Sequence, residues 1–140
     1  AELEMRRAIQ QNAFSAEAHY HLGNILRDQG KFPGALQAYQ ESLRINPDYV
    51  YARNALGRTF SLLQQDDRAL ENFRKAVETD PTNAPAYFNL AIQLEKMQRK
   101  QQALESYRKF LELSSEKDHP LEREKAREAI RRLGAQTSQN

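Results

Sequence analysis

The chain contains no cysteine and no tryptophan, and only five glycines and five prolines among its 140 residues. Without cysteine there is no disulfide, no thiolate nucleophile and no zinc or iron–sulfur site built on sulfur. Size alone makes a staple unnecessary, because a domain of this length buries roughly 68–70% of the surface its unfolded chain exposes. Charge of one sign is also missing: 21 Lys and Arg face 19 Asp and Glu, for a net charge of +2. So near-neutral a balance carries no bias toward nucleic acid or an anionic membrane, and no nucleic-acid partner is expected. Long apolar runs are absent and mean hydropathy is −0.87. No segment approaches the roughly 18 apolar residues of a membrane span, so membrane insertion is not expected. Strand formers are scarce: Val, Ile and Thr together number 11, against 34 Ala and Leu. Gln, Glu, Lys and Arg fill most of the rest. These are helix formers, and the composition predicts an all-α fold.

What is present is a repeat. Displacing the sequence by 34 residues aligns Ala18, Ala52 and Ala86, then Leu22, Leu56 and Leu90, then Gly23, Gly57 and Ala91. Ala35, Ala69 and Ala103 follow, and the aromatic series Tyr39, Phe73 and Tyr107. Asn46-Pro47 matches Asp80-Pro81. Three copies therefore span 16–49, 50–83 and 84–117. Each reads as two helices with small or apolar residues at helical spacing. Gly30 stands where a left-handed cap would end the first helix of copy one. Pro47 and Pro81 cannot continue the second helices. The small residues have a mechanical role: Gly23, Gly57 and Ala91 on one helix, and Ala35, Ala69 and Ala103 on the other, permit close approach.

The ends differ from the copies. Residues 1–15 read as the second helix of an incomplete preceding repeat, with Ala1 matching Ala35 and Met5 matching Tyr39. Residues 118–133 read as a capping helix opened by Pro120, with Leu121, Ala126, Ala129, Ile130 and Leu133 as its apolar positions. Polar residues 134–140 read as a disordered tail.

These residues resemble the tetratricopeptide repeat family, whose period is 34 residues and whose pattern is a Leu-Gly pair, an Ala, an aromatic, another Ala and a closing Pro. AEAHYHLGNIL (16–26) and APAYFNLAIQL (84–94) are similar to its first helix. The chain departs from the pattern at His19 and Arg53, where the family places a large aromatic that copy three keeps as Tyr87. The resemblance implies a right-handed α-solenoid of helix–turn–helix repeats with a C-terminal capping helix. It also implies a concave groove lined by first helices that holds a peptide, and no intrinsic catalytic activity.

On that reading the candidate groove residues are Tyr20, Asn24 and Arg27 in copy one, Tyr51, Asn54 and Arg58 in copy two, Phe88 and Asn89 in copy three, and Arg123 from the cap helix. Asn both donates to and accepts from a peptide backbone, Tyr and Phe give rigid contact area, and Arg grips a carboxylate. Tyr20, Tyr51 and Phe88 serve equally for packing between adjacent repeats, and Tyr20, Asn24 and Asn89 match the family's generic pattern. The family's two-carboxylate clamp is not met: in one register only Asn24 matches, in the other only Asn89 and Arg123.

Other chemistry is thin. His19 and His21 lie two apart on a helix and face different ways, so no metal site is expected, and no cofactor. No glycine-rich phosphate loop, nucleophile elbow or HExxH sequence occurs. The expected function is a non-enzymatic module that binds a peptide segment of a partner protein. Self-association, or service as part of a larger enzyme or assembly complex, are the alternatives.

Overall fold

A computed structural model describes residues 1–138, with side chains placed through residue 136, and among them there are eight α-helices and no strand. They are α1 (Glu2–Gln11), α2 (Ala16–Asp28), α3 (Phe32–Ile45), α4 (Val50–Leu62), α5 (Asp66–Thr79), α6 (Ala84–Lys96), α7 (Lys100–Leu113) and α8 (Pro120–Ser138). The starts of α2, α4 and α6 recur every 34 residues, as do those of α3, α5 and α7.

Local chemistry explains the boundaries. Ser15 Oγ accepts the Ala18 N–H at 3.0 Å and Asn83 Oδ1 accepts that of Ala86 at 2.9 Å, capping α2 and α6. Pro33 and Pro85 stand in first turns, where the lost N–H is not needed. Past the ends of α1, α3 and α5, the side chains of Asn12, Asn46 and Asp80 accept the N–H two residues on, at 3.3, 3.1 and 3.1 Å. Such side-chain turns redirect the chain.

Within each hairpin the turn passes through a left-handed residue: Gly30 (φ 76°), Gln64 (φ 62°) and Gln98 (φ 64°). Glycine meets that conformation without strain, while a residue bearing Cβ is disfavoured there. The double variant Gln64→Gly, Gln98→Gly is therefore expected to gain about 1 kcal/mol in all, after allowing for glycine's greater freedom in the unfolded chain. Thermal melting checks this, and a lower midpoint would contradict it.

Two compact units divide the chain, residues 1–72 and residues from 73 on, with the division inside α5. In the first unit α2 and α3 form a tight hairpin. A Cβ on Gly23 would come within 2.5 Å of Tyr39 Cε1, so only glycine admits the ring there. Ala35 and Tyr39 are fully buried, and Ser42 Oγ donates to the Ala16 carbonyl at 2.7 Å. In α4, Val50, Ala52, Ala55, Leu56 and Phe60 are buried, and so is Ala69 of α5. The two departures at the aromatic position have visible consequences. Beside His19 a cavity of about 410 Å³ opens, lined in part by Phe14, Leu22, Leu26, Gly34 and Ala38. Arg53 sits half-buried, donating at 3.4 Å to Asn72 Oδ1 and to the Pro47 carbonyl. Burial holds its pKa below the usual guanidinium value.

In the second unit α6 and α7 pair through buried Leu90, Ala91 and Leu94 against Ala103, Leu104, Tyr107 and Phe110. Helix α8 packs on α7 and buries Ala126, Ala129 and Leu133. Two expectations for this helix are corrected. Leu121 is 58% exposed, so it lies off the packed stripe. The helix also continues past 133 to Ser138, because Gly134 is not left-handed and Ala135 and Gln136 favour helix. The remainder of the expected tail, 139–140, lies outside the described residues.

Candidate functional site

Helical periodicity sets two faces on α2. Leu22, Gly23 and Leu26 turn inward, which leaves Tyr20, Asn24 and Arg27, spaced i, i+4, i+7, on another side. Tyr39 joins these faces. Its side chain is wholly buried, and its hydroxyl reaches α2 and donates to Asn24 Oδ1 at 2.6 Å. That bond occupies the Asn24 oxygen and leaves the amide N–H groups for another acceptor. Burial, above all, pushes the Tyr39 phenol up to about 12, with the charges of Arg27, Asp28 and Arg58 acting on it as well. It is a neutral donor at ordinary pH.

On α4, Tyr51 is 58% exposed. Arg58 is exposed and makes no ion pair among the described residues, while Asn54, expected on this face, is buried. Arg27 is paired with Asp28 at 3.3 Å and His21 lies 3.5 Å from Glu17. Tyr20 contacts the rings of Tyr49 at 5.6 Å and Tyr51 at 6.3 Å, and Tyr49 meets Tyr51 at 5.6 Å. The first unit thus brings Tyr20, Asn24, Arg27, Tyr51 and Arg58 together, with Tyr49 added. Tyr49 is absent from the residues that spacing alone places on this face. The available signal was its alignment with Ser15 and Asn83, both helix caps, in a column where a tyrosine has no capping use.

In the second unit Phe88 is half-buried against Phe110 at 4.9 Å and Tyr107 at 6.2 Å, and Asn89 is half-buried beside it. Glu95 accepts from the Tyr107 hydroxyl at 2.8 Å and also pairs with Arg132. Burial, aided by that carboxylate, raises the Tyr107 phenol well above its ordinary value. Arg123 has a different employment from the expected grip on a partner's carboxylate. Its Nη1 donates to the Leu111 carbonyl at 2.6 Å and to the Ser114 carbonyl and Oγ at 2.9 Å. Its Nε donates to Glu116 at 3.0 Å. It satisfies carbonyls that the end of α7 leaves open. Arg127, and then Arg123, hold the Glu116 carboxyl below the usual carboxylate range. Among the described residues no group of three or more His, Asp or Glu side chains is placed to hold a metal, and no helix is long and apolar enough to cross a membrane.

Hairpins of this kind, with small-residue seams and one outward side of the first helix, define a helical-repeat protein. Profiles described as "TPR repeat" or "Tetratricopeptide repeat" match residues 23–64, 50–83 and 72–105. The chain belongs to the tetratricopeptide repeat family. It is 34% identical over 73 residues to a UDP-N-acetylglucosamine–peptide N-acetylglucosaminyltransferase of Giardia intestinalis, a match covering 52% of this chain and 5% of that protein. Against the curated relatives it matches first, the chain spans a tenth of their length or less. Among solved structures it is similar to YrrB, described as a TPR protein with an unusual peptide-binding site (22% identity, TM-score 0.79, covering 93% of this chain and 64% of that one). It is also similar to the first TPR of Spaghetti (RPAP3) bound to an HSP90 peptide, SRMEEVD (20% identity, TM-score 0.79, covering 89% and 96%). At these identities the structures establish the fold.

Proposed function

We propose that the chain is a non-catalytic interaction module that holds an extended peptide segment of another protein against the outward side of α2 and α4. Tyr20, Asn24, Arg27, Tyr51 and Arg58 make the contact, with Asn54 beneath them. Phe88 and Asn89 offer a similar, smaller surface on α6. Arg123 is left out because its donors serve α7. One observation carries this reading: in the first unit the side chains with unspent donors and exposed ring area gather on the side of α2 and α4 away from the buried seam. The peptide-binding structures among the fold's relatives support it. The match to a glycosyltransferase covers a small fraction of that enzyme, so it lends no support to catalysis here.

The test uses peptides selected from a random display library on the full chain. Arg27→Glu with Arg58→Glu should weaken the selected peptides by about tenfold or more, at an unchanged melting temperature. Undiminished binding to that double variant would place the site elsewhere.

A further inference from the structure

One of the three tyrosines on this face, Tyr49, departs from the pattern of its column in the repeat. In copies one and three the residue before the first helix, Ser15 or Asn83, caps it by a side-chain hydrogen bond; Tyr49 holds the same place before α4 and makes none. Loss of a cap costs about 1 kcal/mol. A side chain that stands in place of a cap contributes in another way. The ring instead completes a triangle with Tyr20 and Tyr51, with centroids 5.6, 5.6 and 6.3 Å apart. No other copy has this set: the columns of Tyr20 and Tyr51 hold Asn54 and Phe88, and Glu17 and Pro85.

The spacing decides what the triangle can bind. Rings whose centroids lie this close touch one another, so no room remains between them to surround a cation. They form a stepped platform, with the rings edge-to-face at 63° and 78° and tilted at 45°. The hydroxyls of Tyr20, Tyr49 and Tyr51 make no hydrogen bond among the described residues and are free to donate, and farther along the same helices, one turn on from Tyr20 and two turns on from Tyr51, come the Asn24 amide and the Arg58 guanidinium. Little net charge is on offer, since Arg27 is paired with Asp28, Glu17 lies beside His21, and Arg58 is the one arginine of the face without an ion pair among the described residues. A strongly acidic ligand finds little to neutralise it. A segment rich in acceptors, poor in donors and carrying flat apolar rings fits better. Polyproline II chains have that character, because proline has no N–H, its carbonyls point outward, and its rings dock on aromatic surfaces at low entropic cost.

Building on the peptide-binding reading above, we infer that the tyrosine platform of α2 and α4 selects proline-rich segments in the polyproline II conformation.

The test compares three synthetic probes on the full chain: nonaproline, an acidic nonapeptide and a glycine–serine nonapeptide, read by heteronuclear NMR shifts. Nonaproline should bind most tightly, with little dependence on salt. Tyr51→Ala, at an exposed position, and Tyr49→Asn, which restores the missing cap, should each weaken it by about tenfold or more while the chain stays folded. Failure of nonaproline to bind, or binding that both variants leave intact, overturns the inference. Should the acidic probe bind this face and nonaproline not, the inference falls and the peptide-binding reading survives. Should no probe bind and display selection also yield nothing on this face, both fall together.

Discussion

Ala69→Arg is expected to abolish cooperative folding of the first unit near physiological temperature. Ala69 has no exposed surface, and it shares its repeat column with Ala35 and Ala103, which are equally buried. A larger side chain must push the surrounding helices apart, which costs about 1–3 kcal/mol. Arginine adds an uncompensated buried charge, worth roughly 3–5 kcal/mol more. The sum is comparable to the whole stability of an ordinary domain, about 5–15 kcal/mol. Circular dichroism against temperature reads the effect. Glu78→Arg, on an exposed turn of the same helix, should leave the curve nearly unchanged. If the two variants melt alike, the close-packed seam is not what holds the hairpins together.

Phe110→Ala is the second large effect, in the other unit. Phe110 is fully buried and lies against Phe88 at 4.9 Å and His119 at 5.9 Å. Truncating a buried phenylalanine costs about 3–5 kcal/mol, part of it for the cavity left behind. The repeat makes the case instructive, because the equivalent positions hold Ser42 and Ala76. Alanine is therefore acceptable to the helix itself, and the loss comes from the empty space between α6, α7 and the approach to α8. Urea denaturation measures it. A loss below about 1 kcal/mol would mean the junction closes over the gap.

The fold was legible because the repeat wrote it three times. Gly23, the three seam alanines and the Asn or Asp turns each appear at a fixed interval, and one physical reason covers every appearance. What was hidden lies where the copies disagree. Phe110 stands in a column of small residues, so alignment gave no hint that it fills a core. Gln64 and Gln98 take the left-handed turn that only Gly30 announces. Tyr49 replaces a capping residue, and its value appears only when α2 and α4 bring three rings together. Arg123 misleads for another reason. An arginine at the right interval looks ready for a ligand, but the carbonyls at the end of α7 lie within its reach, and no sequence pattern records that distance. Spacing points Asn54 toward an open surface, and it is instead nearly enclosed.

The most direct test of the account is a backbone-amide NMR titration of the labelled chain with a peptide obtained by display selection. Shift changes are expected to concentrate at residues 20–27 of α2, at Tyr49 and at residues 50–58 of α4, with the outer residues of α3 undisturbed. Changes confined to α3, or to the cavity beside His19, would contradict it.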